Sequence, residues 1–164
     1  MTMQLSHDEL QLLYRYCLAL TNHNADAHDL LQSALEKWVK KTSEQTLGMG
    51  YLRRIIRNQF IDDCRRKNKI VFAEFNENIT TLESTTSFEQ ILIDSDDIEH
   101  LLKSFNVAER ETLFLSAVMG YTATEIAEQT NEPRSTILSR LHRIKKKAVV
   151  IADKSLPPQQ GESK

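Results

Sequence analysis

The stretch GYTATEIAEQTNEPRSTILSRLHRIKKK, from Gly120 to Lys147, constrains the fold more than any other part of the chain. Thr122 stands three residues before Glu125, the spacing at which a hydroxyl caps the backbone and a carboxylate reaches back, so a helix starts there. That helix buries Ile126 and Ala127. Asn131 tolerates the left-handed backbone of a helix-ending turn, and Pro133 suits the start of a new helix because its missing N–H has no partner there in any case. Beyond it, Ile137, Leu141, Ile144 and Ala148 recur at i, i+4, i+7 and i+11, a single apolar stripe that must pack on the rest of its module. The opposite face carries Ser135, Ser139, His142, Arg143 and Lys146. One buried stripe behind one basic, hydrogen-bonding face is what the major groove of DNA admits, so the stretch reads as a helix-turn-helix. A solvated basic helix in an ordinary bundle is the alternative reading of the charges alone.

Charge distribution sharpens that reading. The net charge of -2 conceals two basic patches around an acidic segment. Tyr51 to Lys69 holds seven cations against Asp62 and Asp63, a net +5, and Arg134 to Lys147 holds six cations and no acid. Ile70 to Leu102 holds eight acids and no Lys or Arg. Local patches, not the average, set the field that a polyanion meets.

A length of 164 residues allows one ordinary domain or two small ones, and only four Gly and three Pro leave room for few tight turns, which favours helix over sheet. Cys17 and Cys64 lie far apart and outside any Cys/His cluster, so they read as reduced core thiols, with no disulfide framework, metal site or cofactor suggested. No apolar run approaches a membrane span and the N-terminus lacks a signal-peptide plan, so the expectation is a cytoplasmic chain without membrane insertion. Neither a phosphate-cradling Gly-rich loop nor a Ser/His/Asp spacing is present, which argues against an enzyme.

Taken in order, residues 8–22 carry Leu10, Leu13, Tyr14, Cys17 and Leu18 at helical spacing, with a start near Ser6 or His7. A second helix from about Asp26 places Leu31, Ala34, Leu35, Trp38 and Val39 on one stripe. In YLRRIIRNQFIDDCRRKNK, Leu52, Ile55, Ile56, Phe60 and Cys64 form a buried stripe while Arg54, Asn58, Asp62 and Arg65 share another face. Those polar groups are either helix salt-bridge decoration or base readers flanked by phosphate-binding arginines. Two more helices are expected over Asp96–Phe105 and Glu109–Val118, with Leu113, Phe114, Ala117 and Val118 inward. The tail from Asp153 reads as disordered.

DAHDLLQSALEKWVKK followed by GYLRRIIRNQFIDDCRRKNK resembles region 2 of bacterial sigma factors, and VAERETLFLSAVMGYTATEIAEQTNEPRSTILSRLHRIKKK resembles their region 4. Size and order resemble the extracytoplasmic-function branch of the sigma-70 family, over about residues 8–150. The resemblance implies an all-α chain of two small helical domains joined by a linker: a region 2 bundle over residues 1–69, an acidic linker over 70–95, a region 4 helix-turn-helix bundle over 96–152, and a tail over 153–164. It implies a promoter-specificity subunit whose partners are core RNA polymerase, promoter DNA and, commonly in that family, an anti-sigma protein.

By the same resemblance Asp26, Asp29, Leu30, Leu31 and Gln32 fall where the family docks on the polymerase. Trp38, Lys41, Arg53, Arg54, Asn58, Asp62, Arg65 and Arg66 fall where it melts and captures the minus-ten element. Arg134, Ser135, Ser139, Arg140, His142, Arg143 and Lys146 fall where it reads the minus-thirty-five element. The sequence departs from the family pattern in having Phe105-Asn106-Val107-Ala108, without Pro, before Glu109-Arg110, and in Asn131, Glu132, Ser135 and Leu138, the last at a position that is commonly basic. The middle segment is acidic, yet Phe72, Phe75, Ile79 and Phe88 make it more apolar than a plain tether; in the free chain it is expected to lie near the basic faces and damp non-specific DNA binding. The competing reading is an autonomous helix-turn-helix regulator with an N-terminal dimerisation or ligand domain, which would bind its promoter tightly without polymerase.

Overall fold

The computed structural model describes residues 5–41, 48–67 and 102–155, and every regular element among them is a helix. We label these α1 (His7–Thr21), α2 (Asn24–Lys41), α3 (Met49–Arg66), α4 (Val107–Leu113, running on into a π-helical turn Phe114–Val118), α5 (Ala123–Thr130) and α6 (Arg134–Ser155). The acidic stretch expected as a linker, and residues 96–101 of the helix expected after it, lie outside the described residues; Leu102 to Ser104 form a helical turn that leads into α4.

Local chemistry sets the helix ends. Ser6, Asn106 and Thr122 each form a reciprocal capping box with a Glu three residues on: Glu9, Glu109 and Glu125. Asn106 thus starts α4 in the stretch that departs from the resembled pattern by lacking proline. The Thr122 backbone and hydroxyl, both donating to the carboxylate, hold Glu125 below the usual carboxylate range. Asn22 and Asn131 take the left-handed conformation, with φ of 53° and 56°, and end α1 and α5. Pro133 accepts the first backbone hydrogen bonds of α6, from Thr136 and Ile137, so that helix starts within a residue of the expected place. It also continues to Ser155, three residues past the expected boundary.

The packed stripes confirm α3 and revise the others. Leu52, Ile55, Ile56, Phe60 and Cys64 are all buried, as expected. In α1 the buried line is Leu13, Tyr16, Cys17 and Leu20, which leaves Leu10, Tyr14 and Leu18 half-buried. In α2 it is Ala27, Leu30, Ala34 and Trp38, and Val39, expected inside, is 66% exposed. The line is rotated by about one residue, keeping Ala34 and Trp38 and taking in Ala27 and Leu30. The stripe expected over Leu113–Val118 also shifts. Phe114 and Leu115 are buried, whereas Ala117 and Val118 are exposed, because the π-helical turn adds a residue to the repeat and swings the following side chains outward.

One apolar cluster spans both halves of the chain: Phe114, Leu115, Ile126 and Ile137 join the core of α1, α2 and α3, while Phe105, Ile144 and Ala148 form a smaller satellite. Arg110 ties the halves further. Its guanidinium donates to the Phe105 carbonyl (2.7 Å) and to those of Ala19 (2.8 Å) and Leu20 (3.1 Å), acceptors that the end of α1 leaves without intrahelical partners.

Candidate nucleic-acid interface

Helix α3 carries two kinds of polar residue. Arg54, Asn58, Asp62 and Arg65 are exposed and share one face, since they repeat at i, i+4, i+8 and i+11; Arg66 is exposed beside them. Arg53, Arg57 and Gln59 turn towards protein. Gln59 accepts from Lys37 of α2 and donates to Asp63 at 2.8 Å. Arg57 Nε donates to Glu111 Oε1 at 2.9 Å, and its Nη2 stands 3.5 Å from Glu132 Oε1. Arg53 is only 8% exposed; its Nη2 donates to the Tyr121 hydroxyl and its guanidinium lies 5.0 Å from that ring's centroid. Its Nε and Nη1 are buried with no hydrogen-bond partner among the described residues.

Two of the residues expected at the minus-ten element are therefore placed inside. Trp38 is buried in the core of α1, α2 and α3, where a large ring gains most from burial. Arg53 lies under the Tyr121 ring. Lys41 is exposed at the end of α2.

Of the residues expected at the polymerase contact, Asp26, Asp29 and Gln32 are exposed and Leu31 is half-buried. Leu30 is 5% exposed and belongs to the core, because its position follows Ala27 by one turn on the buried line. Asp26 and Asp29 line a cleft of about 330 Å³ together with Phe60, Asp63, Lys67 and Arg110.

In the second half, α5 and α6 form the helix-turn-helix with the N–H of Glu132 closing onto the Ala127 carbonyl at 3.1 Å. Arg134, Ser135 and Lys146 are exposed on α6, and His142 and Arg143 are half-buried. The Ser139 hydroxyl donates to the Ser135 carbonyl at 2.8 Å. Arg140 is 7% exposed: it donates to Thr112 at 3.2 Å and to Glu132 at 2.6 Å, so it locks α6 onto α4 and the turn. Ser139 and Arg140 thus turn their hydrogen-bonding groups back onto the protein in this arrangement.

What a reading of the sequence misses is the set of contacts that join the halves. Tyr16, Glu111, Arg57, Glu132 and Arg140 form a continuous polar chain from α1 to α6. Ala108, Glu111, Thr112 and Leu115 recur at i, i+3, i+4 and i+7, and that spacing is the signal that Glu111 faces inward. Among the described residues no group of three or more His, Cys, Asp or Glu could hold a metal ion, and no helix is long and apolar enough to cross a membrane.

Known proteins match this architecture in both halves. Residues 5–70 match the family model of sigma-70 region 2, and residues 95–147 match that of sigma-70 region 4. The ECF RNA polymerase sigma factor SigE of Mycolicibacterium smegmatis is 28% identical over 137 residues, which cover 80% of this chain and 53% of that protein. The chain thus spans about half the length of this relative. Among solved structures, the sigma factor RpoE of Bartonella quintana, in complex with the anti-sigma factor NepR, superposes with a TM-score of 0.64 at 22% identity, covering 90% of this chain and 94% of that one. At that identity the likeness concerns the fold.

Proposed function

The chain belongs to the sigma-70 family of RNA polymerase sigma factors, in its extracytoplasmic-function branch, and on that premise we propose that it binds core RNA polymerase and directs promoter recognition, DNA melting and transcription initiation in the cytoplasm. It is not itself an enzyme; the polymerase carries out the chemistry. An anti-sigma protein is a further partner in this reading.

One observation carries the proposal: a single chain presents two outward polar helix faces of different chemistry. On α3, Asn58 and Asp62 alternate with Arg54 and Arg65. Amide and carboxylate groups give directional hydrogen bonds to base edges while neighbouring arginines hold phosphates, which suits a strand being opened. On α6, Arg134, Ser135, His142 and Lys146 face outward from a helix-turn-helix, which suits a duplex major groove. Asp26, Asp29 and Gln32, exposed on α2, are left for the polymerase. Leu30, Trp38 and Arg140 support these surfaces from within.

The arrangement described here is a closed one. Arg53 and Arg57 come from the helix that faces the minus-ten element, yet their partners are Tyr121, Glu111 and Glu132 of the second half. A cation held by a protein carboxylate, or buried under an aromatic ring, is not available to a phosphate. Bringing Arg53 and Arg57 to the minus-ten element as well therefore calls for separation of the two halves, with core polymerase as the partner that holds them apart.

The test is assembly. Full-length chain mixed with bacterial core polymerase is expected to co-elute on gel filtration, and reversal of charge at Asp29 (Asp29→Lys) is expected to weaken that assembly while Arg134→Ala leaves it intact. Failure of the chain to associate with core polymerase, together with tight promoter binding by the free chain, would favour an autonomous regulator.

A further inference from the structure

Leu138 stands in the outward face of α6, one turn after Arg134 and one turn before His142, and it is 43% exposed. It belongs to neither apolar cluster. The buried side of the same helix is already filled by Ile137, Ile144 and Ala148, each 0% exposed, so Leu138 is not needed for packing. A lone exposed leucine is ordinary on a protein surface. Its neighbours give this one a meaning, because Arg134 and Ser135 are exposed around it while Ser139 and Arg140, the next two residues, turn their donors to the Ser135 carbonyl and to Glu132 and Thr112. Among the exposed residues of the first two turns of α6, an aliphatic side chain therefore stands between Arg134 and Ser135 on one side and His142 on the other.

We propose that Leu138 reads the 5-methyl group of a thymine in the upstream promoter element, making it a specificity-determining residue of this chain. The inference rests on the promoter-recognition reading above and deepens it. In the major groove only thymine presents an apolar group, and every other base edge presents donors or acceptors, or a bare C5–H in the case of cytosine. A leucine set against the N7 of a purine removes water from an acceptor and gives nothing back, whereas against a thymine methyl it buries apolar surface on both sides. The preference is therefore for thymine through attraction and against purines through an unpaired acceptor.

The experiment isolates the methyl group. Holoenzyme, formed from core polymerase and the full-length chain, first selects promoters from a randomised upstream library; each thymine of the selected element is then replaced singly by deoxyuridine, which removes only the methyl. At one position the substitution is expected to lower run-off transcription by about three- to tenfold with the unchanged chain, the range expected for one buried methyl-sized contact. The ratio between thymine and uracil templates is expected to fall to about one with Leu138→Ala, whatever its absolute rate, and Leu138→Arg is expected to shift the selected base at that position from thymine to guanine. Selected elements without a required thymine methyl, or an undiminished thymine-to-uracil ratio with Leu138→Ala, would overturn the inference while leaving the promoter-recognition reading standing. Absence of any promoter-directed transcript from the holoenzyme would overturn both.

Discussion

The Tyr16 hydroxyl donates to Glu111 Oε1 at 2.6 Å, joining side chains 95 positions apart, and Arg57 Nε reaches the same oxygen at 2.9 Å. Burial, reinforced by the Glu111 charge and the hydrogen bond to it, pushes the Tyr16 phenol well above its ordinary value, so it remains a donor. The carboxylate is 1% exposed and lies at the junction of α1, α3 and α4. An ion pair at such a depth gains little net stability over an apolar replacement, but losing one partner leaves the other charge buried and uncompensated. The contact therefore acts as a latch between the halves, not as a large source of folding energy.

Removal of Arg57 should accordingly cost more than a surface ion pair. Arg57→Ala is expected to destabilise the chain by about 3 kcal/mol in urea unfolding. A double-mutant cycle with Glu111→Gln is expected to return a coupling of about 1–3 kcal/mol. Coupling below about 0.5 kcal/mol would mean that the two residues stand together without depending on each other.

Opening of the latch should free the inward arginines of α3. Glu111→Gln combined with Glu132→Gln removes the carboxylates that engage Arg57 and keeps every arginine. The free variant is expected to bind a fork-junction DNA at low salt more tightly than the unchanged chain, and intramolecular energy transfer between dyes on α3 and α6 is expected to fall. Unchanged affinity and unchanged transfer would show that the halves stay together without these carboxylates.

Gly120 tests the backbone in isolation from packing. It has a φ of +70°, and a Cβ built there meets nothing within 4 Å. Gly120→Ala therefore carries only the left-handed penalty of roughly 1–2 kcal/mol. A cost near that size in denaturant unfolding is expected, and a change without cost would mean that the turn between α4 and α5 can relax.

Cys17 supplies a pH dependence of known sign. Burial pushes its thiol up to about 12, above an unfolded value of about 8.5. A folded value raised above the unfolded one contributes stability that is complete below pH about 8.5 and is lost as pH rises towards the folded value. The urea midpoint is therefore expected to hold from pH 7 to about 8.5 and decline above it, with Tyr16 adding to the decline further up. Cys17→Ala should flatten the first part of that slope. A midpoint that rises with alkalinity would contradict the burial of both groups.

Much of this was legible from local chemistry. The Thr122/Glu125 box, Asn131 and Pro133 placed the helix-turn-helix, and the unbroken stripe Leu52 to Cys64 placed α3, because caps and periodicity act over a few residues. The resemblance to sigma regions 2 and 4 supplied the family that these helices belong to, which the residues alone left open. What was not legible depends on contacts distant in sequence. Charge gives no sign that Arg53 and Arg140 are buried, since their partners Tyr121 and Glu132 are fixed only when α3, α5 and α6 meet. The π-helical turn that moves Val118 outward has no composition mark in FLSAV. Leu30, expected at the polymerase contact, lies in the buried row of α2 beside Leu31, and apolar residues on both adjoining rows make that placement hard to read in advance.

The central claim is that one chain supplies both promoter-reading surfaces to a polymerase that lacks them. Run-off transcription by core polymerase tests it most directly, with templates selected by the holoenzyme and with the chain added or withheld. The account predicts a transcript from a single start only when the full chain is present, lost with Asn58→Ala plus Asp62→Ala on double-stranded template and regained when the minus-ten region is supplied already unpaired. Transcripts that are the same with and without the chain, or that depend on it equally on promoter and promoter-free templates, would contradict it.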